Sequence, residues 1–302
     1  MSKAAEQQEE IALPAELMAR LSRLAIIAPR VFPGSSQGKR FSRTRGSEGM
    51  EFAGHKEYSP GDDFRSIDWN VYARLEELVV KNFETQENLR LYVLLDCSAS
   101  MASGNPQKGA WAKRLAAALA YIGFANEDWT GVFPFNKEIG ESYLTKGRPR
   151  ISQLLELLGR TPLSGRTDFS GVLKTFSIRN ALPGLVFLIS DFWRAQDLEE
   201  SLKFLVYNHH SLVAIHVVDP LEQAPLLAGE MDLEDMETGE TVPLTVRGNT
   251  LQDYQAMYQR HCAAVARAFS MYDAAYLRLS TQEPLQQVVL KTFRERRLVR
   301  QR

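Results

Sequence analysis

The sequence predicts an α/β protein with a doubly wound, mainly parallel sheet of the Rossmann type, and three observations support this class. The continuous apolar runs Leu91–Leu95 and Leu185–Ile189 are of strand length and are typical of strands buried on both faces. From residue 90 onward, strand-like and helix-like patterns alternate along the chain. Each run leads to an aspartate, Asp96 or Asp191, where ligand-binding loops leave the sheet in this class of fold.

The individual elements follow from apolar periodicity and from the Gly and Pro residues that bound it. In chain order we predict a helix from Pro14 to about Ile27, strands over Leu78–Phe83 and Leu91–Leu95, a helix over Lys108–Phe124, a strand over Gly131–Phe135, helices over Arg150–Leu158 and Asp168–Ile178, a strand over Leu185–Ile189, a helix over Leu198–Tyr207, a strand over Leu212–Val218, a helix over Leu251–Tyr272, a strand over Ala275–Leu279 and a terminal helix over Leu285–Val299. Residues 90–219 and 250–300 are therefore expected to share one sheet.

Two segments depart from this alternation. Residues 220–248 are interrupted by Pro and Gly, and the short alternating piece Thr241–Val246 predicts an inserted element like a β-hairpin. Residues 1–89 are interpreted as an N-terminal accessory segment with the block Tyr58–Asp63 (Tyr-Ser-Pro-Gly-Asp-Asp), which gives the fold a small accessory element containing β-strands. The main domain is expected to span residues 90–302.

The composition excludes several classes of protein. A formal net charge of −1 gives no global reason for nucleic acid or acidic lipid to be the main partner. The two cysteines, Cys97 and Cys262, lie far apart without metal-type spacing, which excludes a disulfide scaffold and a cysteine-based zinc site. The polar N-terminus is unlike a secretory signal, and the apolar runs are shorter than a membrane span needs. We expect a cytoplasmic protein.

The segment Asp96–Met101 (Asp-Cys-Ser-Ala-Ser-Met) directly follows a predicted buried strand. Its Asp and two Ser residues alternate, so three hard oxygens can point to one place. Thr167, in a loop that opens a helix, and Asp191, after the second apolar run, could complete the set. Such oxygens suit Mg²⁺. A serine-rich turn that caps the following helix is the alternative, and Asp168 is interpreted as an acid in the first turn of a helix.

These residues resemble the metal-ion-dependent adhesion site of von Willebrand factor A domains, whose pattern is Asp-x-Ser-x-Ser, then Thr, then Asp. The resemblance implies that Ser98, Ser100 and Thr167 bind the metal directly or nearly so, while Asp96 and Asp191 act largely through water. We therefore predict a site for Mg²⁺, with Mn²⁺ or Ca²⁺ as alternatives. Two carboxylates and three hydroxyls leave the ion under-neutralised, so a partner's Asp or Glu is its expected further ligand.

The block Glu57–Arg74 crowds charged and aromatic residues together, including Asp62, Asp63, Phe64 and Trp69. An ion-pair network that docks this segment onto the sheet domain is the favoured interpretation. A partner-binding surface is the alternative.

The same block makes the chain similar to the bacterial family named domain of unknown function fifty-eight. The further segments that carry this resemblance are Val79–Glu84, Leu188–Phe192, Val217–Pro220 and Asp235–Gly239. The resemblance implies a non-enzymatic adaptor or co-chaperone of a MoxR-type AAA+ ATPase.

Two other functions are considered. A strand followed by Asp and a Ser-containing loop is also found in phosphatases of the haloacid dehalogenase type, but these need an acid two residues after the nucleophile, where this chain has Ser98.

Nucleic-acid binding would use two basic clusters, which more often form solvated faces or tails. These are Lys39, Arg40, Arg43 and Arg45, and Lys291, Arg294, Arg296, Arg297, Arg300 and Arg302. We predict neither an enzyme nor a nucleic-acid-binding protein.

Overall fold

A six-stranded sheet organises the larger of two compact units in this computed structural model, which describes residues 11–27, 50–59, 64–85, 89–147, 150–225, 229–246 and 248–302. The larger unit comprises Met1–Val31 and Leu89–Arg302, and the smaller comprises Phe32–Asn88. The described helices of the larger unit are α1 (Ala15–Leu21), α3 (Lys108–Ala125), α4 (Ile151–Arg160), α5 (Phe169–Arg179), α6 (Leu198–Tyr207), α7 (Pro220–Gln223), α8 (Thr250–Ser270), α9 (Leu285–Gln287) and α10 (Phe293–Glu295). Its strands are β1 (Leu24–Ile26), β4 (Arg90–Asp96), β5 (Trp129–Phe135), β6 (Tyr143–Thr145), β7 (Leu185–Ser190), β8 (Ser211–Val218), β9 (Gly229–Glu234), β10 (Thr241–Val246), β11 (Ala275–Ser280) and β12 (Val299–Gln301).

The strand order in the main sheet is β11-β8-β7-β4-β5-β6. All neighbours are parallel except the edge strand β6, which is antiparallel to β5. Within this sheet β4 is the first strand along the chain and β7 is the fourth. These two strands are neighbours at the centre of the sheet, as in a doubly wound sheet of strand order 3-2-1-4-5-6. The predicted fold class is therefore confirmed.

The two faces of the sheet have separate hydrophobic cores, which explains why the central strands are apolar at every position. Leu91, Val93 and Leu95 of β4 pack into one core, and Tyr92 and Leu94 pack into the other. Helix α3, which follows β4, lies in the first core, whereas α6, which follows β7, lies in the second. Because the chain leaves these neighbouring strands toward opposite faces, a crevice opens at their carboxyl ends.

The insertion predicted at residues 220–248 contains an antiparallel hairpin. Strands β9 and β10 pair from Thr241 with Glu234 to Val246 with Gly229. The hairpin stands apart from the six-stranded sheet, and most of its side chains are exposed.

The chain ends differ from the predictions. The first helix stops at Leu21, and the terminal helical segment stops at Glu295 rather than Val299. Residues 24–26 and 299–301 instead form a small antiparallel ladder, β1 with β12. The local pattern could not reveal this pairing because it joins opposite ends of the chain. As a result, residues 11–27 belong to the α/β unit, whereas the predicted boundary at residue 89 assigned them to the accessory segment.

The smaller unit contains a hairpin and a short helix. Strand β2 (Met50–Glu57) pairs antiparallel with β3 (Val79–Thr85), and α2 (Trp69–Leu75) lies between them in sequence. Asp68 caps α2 by accepting a hydrogen bond from the Asn70 backbone N–H at 3.0 Å, and its other oxygen lies 3.0 Å from His55 Nε2. These contacts fit a locally satisfied polar network. Asp62, Asp63 and the side chain of Arg65 lie outside the described residues, and the role of this block stays a prediction.

Candidate metal centre

The carboxylate of Asp96 receives hydrogen bonds from three separate segments at the carboxyl ends of β4 and β7: the loop after β4, the loop before α5 and the last residue of β7. Ser98 N–H donates to its Oδ1 at 2.9 Å, and Ser190 Oγ donates to its Oδ2 at 2.6 Å. Thr167 Oγ1 lies 3.2 Å and 3.1 Å from the two carboxylate oxygens. Asp96 is buried, so this ring of donors satisfies an acid that water cannot reach.

Two more hydroxyls of the predicted set lie together beside this carboxylate. Ser98 Oγ and Ser100 Oγ are 3.1 Å apart, and Ser98 is fully buried. The loop is fixed locally because the Ala99 backbone N–H donates to the Gly165 carbonyl at 2.9 Å, which ties the serine loop to the loop that carries Thr167. The structure therefore brings together Asp96, Ser98, Ser100 and Thr167.

Asp191, the fifth predicted residue, lies close enough to Asp96 to affect its ionisation. Burial of Asp96 and the negative charge of Asp191 raise the pKa of Asp96 to about 7, although the hydrogen bonds from Ser190 and Ser98 oppose this change. Two buried acids beside each other repel when both are ionised. A nearby cation would offset this repulsion between Asp96 and Asp191.

One cation is supplied by Lys108, the first residue of α3, whose side chain is completely buried. Its Nζ lies 2.7 Å from Asp191 Oδ2 and also pairs with Glu222 Oε1. Burial alone would lower the pKa of Lys108, but Asp191 and Glu222 hold it above its usual value. This lysine is therefore charged and links the loop after β7 to α7.

The charges and the donor atoms both fit a divalent metal. Asp96, Asp191 and Glu222 carry three formal negative charges when ionised, and Lys108 balances one of them. In the described part of the chain, no group of three or more His, Cys, Asp or Glu residues could hold a metal. A metal at this crevice would thus depend on hydroxyl oxygens beside the carboxylates, as hard cations such as Mg²⁺ accept. That the five predicted residues bind a metal stays a prediction.

Lys108, Glu222 and the carboxylate-binding role of Ser190 were not predicted from the sequence. Ser190 was identifiable, because it ends a buried strand next to Asp191. Lys108 has a weaker signal: it opens a helix that is otherwise rich in alanine and poor in charge, which indicates burial. Glu222 has no local signal, since its pairing with Lys108 spans 114 residues.

The loop after Ser103 wraps around a second buried acid, Asp219, which caps α7. Asp219 accepts hydrogen bonds from the backbone N–H groups of Asn105 at 2.9 Å and Leu221 at 2.7 Å. Gly104 has a φ of +94°, and a Cβ at this position would overlap Asp219 Oδ2. This glycine lets the loop pass close to the carboxylate.

Replacing Gly104 by alanine should therefore lower the free energy of unfolding by about 2–4 kcal/mol, from left-handed strain and the displaced carboxylate. The measurement is chemical denaturation, with Gly248→Ala as the control because nothing lies within 4 Å of a Cβ there. The control should change stability by less than about 0.5 kcal/mol. Equal stability of the two variants would contradict this account of the loop.

His210 and His216, before and within β8, are buried core residues, whereas the neighbouring His209 is exposed. His216 is buried, its Nδ1 lies 2.6 Å from Tyr276 Oη, and burial lowers its pKa to about 3. His210 contacts the Asn180 carbonyl at 3.1 Å, and burial lowers its pKa to about 4. Both rings are neutral near pH 7. Ser98 stands where a phosphatase of the haloacid dehalogenase type would need its second acid.

Only the second of the two predicted basic clusters lies among the described residues. The cluster at residues 39–45 lies outside them. In the terminal cluster, the side chains of Arg294, Arg296 and Arg297 are exposed, whereas the Arg302 guanidinium reaches the Ala125 carbonyl at 3.4 Å. No helix in the described ranges is long and apolar enough to cross a membrane.

Comparison with known proteins gives a family match over most of the chain. The model of the family described as "Protein of unknown function DUF58" matches residues 54–264. Uncharacterized protein Mb1516 of Mycobacterium bovis is 25% identical over 272 residues, which cover 88% of this chain and 85% of that protein. Uncharacterized protein MAV169 of Mycobacterium avium is 27% identical over 138 residues, covering 46% of this chain and 81% of that protein. These descriptions assign no activity.

Two solved structures are similar at lower identity. The conserved hypothetical protein BatB from Bacteroides thetaiotaomicron is 15% identical with a TM-score of 0.44, and the match covers 69% of this chain and 98% of that one. An aerotolerance-related membrane protein from Bacteroides fragilis is 16% identical with a TM-score of 0.45, covering 70% of this chain and 98% of that one.

Proposed function

Because the chain belongs to the DUF58 family of proteins of unknown function, and because its main unit has a doubly wound sheet of the von Willebrand factor A type, we propose that it is a non-enzymatic, metal-dependent protein-interaction module. The observation that carries the proposal is the convergence of three separate segments on the buried Asp96 carboxylate, through the Ser98 backbone N–H, Thr167 Oγ1 and Ser190 Oγ. Ligands bind at this position in doubly wound sheets.

In this proposal Ser98, Ser100 and Thr167 hold Mg²⁺ directly or nearly so, and Asp96 and Asp191 act largely through water. When bound, the ion supplies positive charge and a coordination position for a carboxylate from a partner protein. Lys108 holds Asp191 through an ion pair, and Ser190 orients Asp96 through a hydrogen bond. Metal and partner binding are then linked, so each strengthens the other by the same factor.

The proposed partner is a MoxR-type AAA+ ATPase, for which the protein acts as an adaptor or co-chaperone. This part of the proposal is supported by the family resemblance, and the metal centre supplies the chemistry by which an Asp or Glu of the ATPase would be recognised.

Titration calorimetry with MgCl₂ tests the metal site. The wild-type protein should bind Mg²⁺, and Ser98→Ala should weaken binding at least about tenfold, since it removes a ligand oxygen. Ser201→Ala is the matched control, because Ser201 is equally buried but donates to the carbonyl of Asp197, the residue before α6. MnCl₂ and CaCl₂ titrations rank the ions. Identical Mg²⁺ binding by both variants and the wild type would contradict the assignment.

The partner is tested with the purified MoxR-type ATPase of the same organism. Immobilised wild-type protein should capture the ATPase in Mg²⁺ and release it in EDTA, while Ser98→Ala should capture it weakly in both. Equal capture with and without the metal would reject the bridging mechanism.

A further inference from the structure

The turn of the inserted hairpin places one acidic side chain against the loops of the candidate metal centre. The turn is shaped by Asp235, whose Oδ1 accepts hydrogen bonds from the backbone N–H groups of Glu237 at 2.8 Å and Thr238 at 3.0 Å. Gly239 follows with a φ of +72°. This geometry presents the Glu237 side chain in a defined direction.

Glu237 is covered although its hairpin is mostly exposed. Its side chain is only 6% exposed, whereas the neighbouring turn residues Met236 and Thr238 are exposed. Its Oε2 pairs with Arg194 Nε and lies 4.0 Å from Arg166 Nε. Arg194 also reaches Asp235 Oδ2 at 3.9 Å. Two arginines therefore meet one carboxylate at the tip of the hairpin.

These arginines belong to the same two loops that carry Thr167 and Asp191. Arg166 directly precedes Thr167, and Arg194 follows Asp191 by three residues. Burial raises the pKa of Glu237, Arg194 lowers it, and the negative charge of Asp191 raises it further. Glu237 is thus electrostatically coupled to the acid that lies beside the candidate metal.

We propose that Arg166 and Arg194 form a receptor for an acidic side chain of the partner, and that Glu237 occupies this receptor in the free protein. This inference rests on the proposed function and specifies its partner: a segment with two acids, one for the metal and one for the arginines. The hairpin then competes with the partner, so only a ligand that also engages the metal displaces it.

The charges support a receptor rather than a structural ion pair alone. Arg166 and Arg194 keep 56% and 32% of their side chains exposed, so both remain reachable. Guanidinium groups bind carboxylates in a directional way. Because both guanidinium groups are partly exposed, water can hydrate them when Glu237 leaves, so release of the hairpin creates no buried, unpaired charge.

Binding of a fluorescent polyglutamate peptide, followed by anisotropy in saturating Mg²⁺, tests the proposal. Glu237→Gln should bind the peptide about tenfold more tightly than the wild type, as expected if the hairpin occupies the receptor in about nine of ten molecules. Glu234→Gln, an exposed acid of β9, is the matched control and should bind like the wild type. Arg194→Gln should bind more weakly than the wild type.

Hydrogen exchange of the unmodified protein gives a readout that needs no substitution. Saturating peptide in Mg²⁺ should accelerate amide exchange in the turn at residues 235–239, because the partner acid releases Glu237. The proposal is overturned if Glu237→Gln binds the peptide no better than the wild type, if it does not bind it at all, or if exchange of the turn is unchanged by bound peptide.

Failure of this inference is distinguishable from failure of the proposed function. If the wild type binds Mg²⁺ but Glu237→Gln behaves like the wild type toward the peptide, only the receptor is rejected. If the wild type does not bind Mg²⁺, the proposed function is rejected whatever the hairpin does.

Discussion

Replacing Lys108 by methionine should lower the free energy of unfolding of the metal-free protein by about 3–5 kcal/mol, because it leaves buried acids without their cation. Methionine retains most of the volume of the side chain, so the loss comes from charge rather than from a cavity. Asp191 Oδ2 and Glu222 Oε1 would lose the partner that both now share. The measurement is chemical denaturation in EDTA.

The same variant should gain more stability from Mg²⁺ than the wild type does. Without the lysine, the uncompensated negative charge at the crevice is larger, so Mg²⁺ should bind the folded protein more tightly. A ligand that binds only the folded state stabilises that state. Lys113→Met is the matched control: Lys113 is a buried lysine of α3 whose Nζ donates to the Thr161 carbonyl at 2.6 Å. It should lose about 1–3 kcal/mol without any added response to Mg²⁺. An equal Mg²⁺ response in both variants would show that Lys108 does not belong to the metal centre.

The position of the candidate site could be predicted from the sequence, but the ion pairs that balance its negative charges could not. Asp96 and Asp191 follow two continuous apolar runs, and the topology of doubly wound sheets brings the ends of such strands together. The spacing of Ser98 and Ser100 is local, so it too could be recognised. These inferences need only strand ends and a known order of strands.

The parts that were missed depend on contacts between distant segments. A lysine at the start of a helix is usually solvated, and only the packed fold shows Lys108 enclosed by Asp191 and Glu222. Similarly, the segment Asp235–Gly239 was recognised as a motif, but its approach to Arg194 required the geometry of the hairpin. The ladder between β1 and β12 was missed for the same reason.

Stability of the metal-free protein should fall as the pH rises from about 4 to about 7, because of Asp96. The pKa of this acid is raised from 3.8 to about 7 in the folded state. Between these values the folded protein holds a proton that the unfolded chain has released, so the folded state is favoured at the lower pH. At about 1.4 kcal/mol for each pH unit, the contribution amounts to a few kcal/mol. Saturating Mg²⁺ should flatten this dependence, since a bound cation favours the ionised acid.

Asp96→Asn should consequently stabilise the metal-free protein at about pH 8 by about 1–3 kcal/mol while abolishing stabilisation by Mg²⁺. The amide oxygen can still accept from the Ser98 backbone N–H, and the amide nitrogen can donate to Ser190 Oγ. Asp219→Asn provides the matched control, because that buried acid accepts from two backbone N–H groups and an amide can satisfy only one of them. It should be destabilised and should keep its response to Mg²⁺. Opposite effects of the same substitution on the two buried acids would show that the ionised Asp96 carboxylate destabilises the metal-free folded state and is stabilised by a bound metal. Destabilisation of the protein by Asp96→Asn in EDTA would instead mean that the hydroxyl donors already stabilise the Asp96 carboxylate.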